Sequence, residues 1–191
     1  MRRRTFDSLM TAGGLVTTIV LAVAGALLFV GYSFANSNVH TQLVGQRITM
    51  PSGQAIDDPA IKPYLAKYAG QPMATGAQAE AYANHFIAVH LKEVAGGKTY
   101  SEVSTLARAN PSDATLQGQV QTLFRGETLR GLLLNAYAFW KVGQIAMIAG
   151  IVAFAAAGVM ALLTILGFWH LRRVSPTEEF LAPRKEVSRV A

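Results

Sequence analysis

The chain contains no cysteine. That excludes disulfides, thiolate metal sites, iron–sulfur clusters and a cysteine nucleophile. Charge is scarce as well: Asp, Glu, Lys and Arg make up only 15% of the residues, against about 25% in an ordinary soluble domain. There is no Walker loop, no dinucleotide-type glycine fingerprint, no G-x-S-x-G and no HExxH, so the common signatures of nucleotide binding, acyl transfer and zinc hydrolysis are missing. No stretch alternates apolar and polar residues clearly enough to read as a strand. Internal repeats and low-complexity tracts are absent too.

What the sequence does have is apolar length. Hydrophobic residues make up 51% of the chain, and two uncharged runs concentrate them. The first is Leu15 to Tyr32, extendable to Met10 and Phe34, and the second is Ile145 to Trp169. A helix needs about 20 such residues to cross the roughly 30 Å of bilayer hydrocarbon. Aromatic residues sit where interfacial belts belong: Tyr32 and Phe34 at the end of the first run, Tyr137, Phe139 and Trp140 before the second, Phe168 and Trp169 at its close. No ionisable residue interrupts either run, so neither carries a proton relay or an ion path.

Orientation follows from positive charge near the spans. Arg2, Arg3 and Arg4 precede the first, and Arg172 and Arg173 follow the second. The intervening stretch is too long for its charges to count, so both termini read as cytoplasmic. The net charge of +6 is spread along the chain with no basic stripe, which speaks against nucleic acid as a partner. A signal peptide competes for the first run. It would use the basic start, with an Arg-Arg pair, and cleave near Ser33-Phe34-Ala35. The run is longer than the usual apolar region of such a peptide, and a retained anchor is the expectation.

The expected organisation is an all-α membrane protein: two transmembrane helices with a mainly helical extracytoplasmic domain between them. Residues 1–9 form a cytoplasmic N-terminus, 10–34 the first span and 35–131 the extracytoplasmic domain. Residues 132–141 form a juxtamembrane segment, 142–171 the second span and 172–191 a cytoplasmic tail. In the domain, Pro51, Gly53, Pro59, Pro63, Gly70 and Pro72 mark 45–75 as loop with short turns. Thr75 and Gln78 form a capping box that opens a helix. Ala79, Tyr82, Phe86 and Val89 should form its buried face, with Ile87, Leu91 and Val94 beside them, and Gly96-Gly97 should stop it. A short helix is expected over 101–108. Asn110-Pro111 should start another, running through 112–140 towards the second span with a bend at Gly126 or Gly131.

Histidine offers little chemistry. His85 and His90 are five residues apart on one predicted helix, about 140° around its axis, whereas a shared ligand face needs i,i+4 spacing. His40 is distant and His170 lies at the other membrane surface. A metal site would need the fold to join these histidines to Glu80 or Glu93. No cofactor is expected and no catalytic residue is assigned.

The stretch Leu123 to Trp140 stands out. Arg125 and Arg130 suit a phosphate or a carboxylate, Glu127 is placed to pair with Arg130 at i,i+3, and Leu129 to Trp140 is apolar nearly all round yet too short to span. Arg125, Glu127, Arg130, Tyr137 and Trp140 therefore form the candidate interaction surface, set against a plain interfacial segment. Small residues recur at i+4 in both spans: Gly14, Thr18, Ala22 and Ala26, then Ala149, Ala153, Ala157 and Ala161. Such rows let helices approach closely in lipid.

The N-terminal MRRRTFD with its following glycine pair, KYAGQPMATGAQAEAYANHFI, GGKTYSE and TLFRGETLRGLLLNAYAFW resemble a family of uncharacterised actinobacterial two-span membrane proteins over most of the chain. The resemblance implies topology rather than activity. Some relatives carry an automatic aromatic ring-opening dioxygenase label. An iron site of that kind needs two histidines and a carboxylate converging, which the His85/His90 spacing does not offer. The leading expectation is a non-enzymatic membrane protein, an accessory, scaffold or assembly subunit of a membrane or cell-envelope complex. Its partners would be the lipid bilayer and a membrane protein or a second copy of itself. An extracytoplasmic ligand-binding or sensing module is the alternative, and a membrane-anchored enzyme using His85 or His90 is the third.

Overall fold

The computed structural model describes residues 3–173. The chain is all-helical, and among the described residues no β-strand forms. The described residues form, in chain order, six α-helices: α1 (Arg3–Gly45), α2 (Lys62–Leu65), α3 (Gly76–Tyr82), α4 (Ala88–Val94), α5 (Tyr100–Ala109) and α6 (Ala114–Leu171). Short 3₁₀ turns lie at Gly53–Ile56 and Ala66–Tyr68, and a π-helical turn, Ala83–Ile87, joins α3 to α4. The described residues divide into two compact units, one of residues 3–30 and 146–173, the other of residues 31–145.

Helices α1 and α6 are both long and apolar enough to cross a membrane. Each exceeds what a crossing needs. The 43 residues of α1 measure about 65 Å and the 58 of α6 about 87 Å at the usual rise. The first helix continues through Ser33 and Ala35 to Gly45, so neither the boundary at 34/35 nor the small-residue cleavage pattern coincides with a helix end. Likewise the apolar segment 132–141 is no separate element but the interior of α6, which runs unbroken through Gly126 and Gly131.

In the first unit, α1 and α6 pair antiparallel. A Cβ on Gly14 would stand 2.7 Å from the Thr164 hydroxyl, one on Gly167 2.7 Å from that of Thr11, and one on Gly150 2.8 Å from the Phe29 ring. The Phe29 and Phe154 rings meet at 5.8 Å, and His170 Nε2 lies 3.6 Å from Asp7 Oδ2. The seam follows the expected i+4 rows in part. Gly14, Thr18 and Ala22 on α1 and Ala153, Ala157 and Ala161 on α6 are buried or half-buried, whereas Ala26 and Ala149, at the row ends, are exposed; Thr11, Leu21, Gly25, Gly150, Thr164 and Gly167 also turn inward. Strict four-residue steps advance about 40° each and leave the interface. Alternating steps of three and four average 3.5 and stay on it, as in a left-handed coiled coil.

In the second unit the loop expected over 45–75 contributes much of the core. Met50, Ile56, Ile61, Leu65 and Met73 are buried together with Val103, Leu123 and Leu133. An isolated bridge between Thr49 and Pro72 fastens its ends, with Met50 N–H donating to Gln71 O at 2.8 Å and Met73 N–H to Ile48 O at 2.8 Å. The Thr75–Gln78 capping box forms, and Gly96 and Gly97 end α4 at φ of 57° and 82°, the left-handed geometry that glycine reaches without strain. A second box, Thr99 with Glu102, opens α5.

Two further expectations need correction. Helix α6 starts at Ala114, not at Asn110-Pro111. The Asp113 carboxylate accepts from the Thr115 and Leu116 amides at 2.9 and 3.1 Å, and a carboxylate caps as well as an amide does. Asn110 instead donates back to Leu106 O at 3.1 Å and closes α5. The buried face of α3–α4 is Ala79, Ala83, Ile87 and Leu91, with Tyr82, Phe86 and Val89 only half-buried. The π turn accounts for Phe86 and Val89: it inserts one extra residue into the helical period, so apolar positions within and beyond it rotate away from the face a regular helix would bury.

Candidate functional site

The segment α3–π–α4 lies antiparallel against the first half of α6, and four contacts fix the register. Gln119 Nε2 donates to Val94 O at 2.9 Å. Gly126 lies under Leu91, whose methyl group would overlap any Cβ there. Arg130 reaches Asn84, and Gly76 lies against Trp140, with a Cβ on it only 2.6 Å from the indole Cγ. Glycine at 76 and 126 therefore sets how closely the two layers approach.

Arg130 is the centre of a polar strut across this contact. One guanidinium nitrogen donates to Asn84 Oδ1 at 3.1 Å and the other to Glu127 Oε2 at 3.3 Å. Asn84 in turn donates to Glu80 Oε1 at 2.9 Å. The π turn places Asn84 here, one of the buried and half-buried side chains that face α6. Arg130 Nε is shielded from water and has no hydrogen-bond partner among the described residues. The group expected to face a partner is thus engaged largely within its own chain.

The five candidate residues are brought together only in part. Arg130 and Glu127 pair, and Tyr137 and Trp140 meet at 6.2 Å between ring centroids. Trp140 packs on the domain core beside Leu134 and Ala136, while Arg125 is exposed. Sequence reasoning missed Asn84 and Gly76. A signal for Gly76 existed, since a glycine directly after a capping Thr gives up helix propensity and so hints at close packing.

The histidines go to separate places. His85 stacks on Tyr64, with centroids 3.4 Å apart and planes 4° from parallel. His90 Nδ1 lies 2.8 Å from Phe86 O, and its ring meets Phe86 at 4.4 Å, extending a row that Tyr82 begins 5.1 Å from Phe86. His40 Nδ1 contacts Ala74 O at 3.2 Å. Among the described residues no three His, Asp or Glu side chains converge as metal ligands would. Burial pushes the Tyr82 phenol above its ordinary range. Hydrogen bonds from the Thr99 backbone and hydroxyl hold the exposed Glu102 carboxyl below the usual carboxylate range.

Two of the hollows on this unit border α6. One, of about 440 Å³, is a shallow dish that includes Tyr100, Ser104, Arg108 and Gln117. The other, of about 250 Å³, is more enclosed and lies between the last turns of α1 and the middle of α6, with Leu43, Leu129, Leu132 and Leu133 as its apolar wall. It is shaped to hold a small apolar group and offers no nucleophile or acid–base pair. Comparison of the chain with protein-family models, curated proteins and solved structures finds no match.

Proposed function

We propose that this is a two-span membrane protein with both termini in the cytoplasm and residues 35–131 as an extracytoplasmic helical domain. In this reading it is a non-catalytic accessory or scaffold subunit of a membrane or cell-envelope complex. One observation carries the reading. The most apolar windows of α1 and α6 are only 6% and 11% buried, so each helix shows water or lipid a nearly continuous apolar surface. Val20, Leu27, Val30, Ile148, Val152, Leu162 and Ile165 are all more than half exposed. Burial of such side chains is worth about 1.5–3 kcal/mol each, and a bilayer is the solvent that supplies it.

The charged ends fit the orientation. The Asp7–His170 pair joins the start of α1 to the end of α6, so the basic residues flanking the two spans share one side. Arg173 lies 3.7 Å above the Trp169 ring, an arrangement suited to headgroup depth. Gly13 and Gly158 have open space where a side chain would be, which leaves room for a second pair of helices to approach closely.

The test has two parts. A reporter active only in the cytoplasm should work when fused after Ala191 and fail when inserted between Gly96 and Gly97. Activity at Gly96-Gly97 would overturn the topology. A photocrosslinking residue at Gly158 should then trap a membrane protein or a second copy of the chain in intact cells. Adducts to lipid alone would remove the subunit reading and leave the topology standing.

A further inference from the structure

The 250 Å³ groove between α1 and α6 has a composition that narrows what it takes. Besides its leucines it is lined by three carboxamide residues, Gln42, Gln46 and Asn135, and no acidic, basic or imidazole group is in the lining. Gln42 is held in place by donating to Asn38 Oδ1 at 2.8 Å. Carboxamides both donate and accept, so the polar rim suits esters and hydroxyls. A phosphate or carboxylate would find no cation in the lining. The volume admits roughly eight water-sized groups, enough for a polar linkage and the first methylenes of a chain, and too little for a helix of another protein.

The groove does not end blindly. From Leu132, 64% exposed, an apolar track continues down the same side of α6 through Phe139 at 41% and Val142 at 61%. Leu132 and Phe139 are seven residues apart, nearly in line on a helix. Phe34 of α1, 64% exposed, widens the track by meeting Phe139 edge-on at 6.2 Å. The track runs in the chain direction that leads towards the uncharged run Ile145 to Trp169.

We infer that the groove is a lipid site: it takes the ester or hydroxyl level of an uncharged glycerolipid at Gln42, Gln46 and Asn135, with an acyl chain laid along Leu132, Phe139 and Val142. The groove begins about 10 Å beyond the Phe34–Phe139 pair along the helix, so a lipid held there is partly drawn out of the leaflet. The inference rests on the two-span reading, and the experiment separates the two.

The full-length protein is reconstituted into vesicles containing a diacylglycerol with a photoactivatable group near the start of one chain. After irradiation, labelled peptides are mapped by mass spectrometry. Label is expected on the groove segments 42–48 and 129–136 as well as on the spanning windows. Leu132→Glu, at an exposed position that leaves the fold intact, should lower groove labelling about tenfold, the equivalent of about 1.4 kcal/mol, and leave span labelling unchanged. Asn135→Leu should lower it too, although it makes the groove more apolar. Span labelling without groove labelling overturns the lipid site and keeps the membrane reading. Absence of label from both overturns the membrane reading and the site with it. Stronger groove labelling by the corresponding phosphatidylglycerol overturns the uncharged class, and equal labelling of wild type and Leu132→Glu overturns the groove as the locus.

Discussion

Gly76 shows how much one missing side chain decides. It begins α3 directly beneath Trp140, and the nearest indole atoms leave no room for a methyl group. Gly76→Ala should therefore cost on the order of 1–3 kcal/mol, the usual range for overpacking, read as a lower midpoint in chemical unfolding followed by tryptophan fluorescence. Gly118 has nothing within 4 Å of its would-be side chain, and Gly118→Ala inside α6 should add about 0.5–1 kcal/mol of stability and raise the midpoint. An equal response at both positions would refute the packing account. Arg130 belongs to the same contact. Arg130→Lys keeps the charge but cannot hold Asn84 and Glu127 together through one planar group, so amide exchange in Ala83–Ile87 should quicken while membrane insertion is unaffected. Glu102 adds a pH dependence. Its folded pKa is depressed by the Thr99 hydrogen bonds, so its stabilisation is complete above the unfolded value near 4.5 and is lost as pH falls through the lower folded value. Protection of the first turn of α5 should fade in that acid window, and Glu102→Gln should remove the pH dependence. A wild-type profile retained by the variant would rule this out.

At the scale of elements, the long helices and the Thr75 start were readable because length, apolar composition and capping chemistry act locally. The π turn was not. Nothing in Ala-Asn-His-Phe-Ile requires an i→i+5 bond; Ala83, Ile87 and Leu91 share one buried cluster with Leu123 and Leu133 of α6, a long-range relation that local spacing does not carry. The turn also moved Asn84 to Arg130, which is why the polar strut was not visible from spacing. Ile87→Ala should then cost about 2–5 kcal/mol as a core truncation, and Phe86→Ala, from a half-buried ring, should cost less. The reverse order would restore the regular-helix face. The candidate site was half legible: the Glu127–Arg130 pair is a local i,i+3 relation, whereas the inward turn of Trp140 depends on Gly76, far off in sequence. Between α1 and α6, the alternating seam predicts that Gly25→Leu and Gly150→Leu, which drive into the Phe154 and Phe29 rings, weaken antiparallel pairing. Ala26→Leu and Ala149→Leu should be silent. Disulfide trapping between cysteines introduced at positions 18 and 161 in this cysteine-free chain reads the pairing directly, and loss on Ala26→Leu would shift the seam.

For the molecule as a whole, the decisive quantity is which residues meet which solvent, and the reporter fusions at Ala191 and Gly96-Gly97 address it. In the first unit Asp7 and His170 lie within 3.6 Å, so the start of α1 and the end of α6 are neighbours. A circular permutant that joins residues 3 and 173 by a short linker, and opens at the exposed Gly96-Gly97 turn, would keep every helix of the chain whole while exchanging the order in which the two apolar helices are synthesised. The pairing of α1 with α6 would then become a local contact between helices adjacent in sequence, and a stretch that now must close over more than a hundred residues would close over a handful.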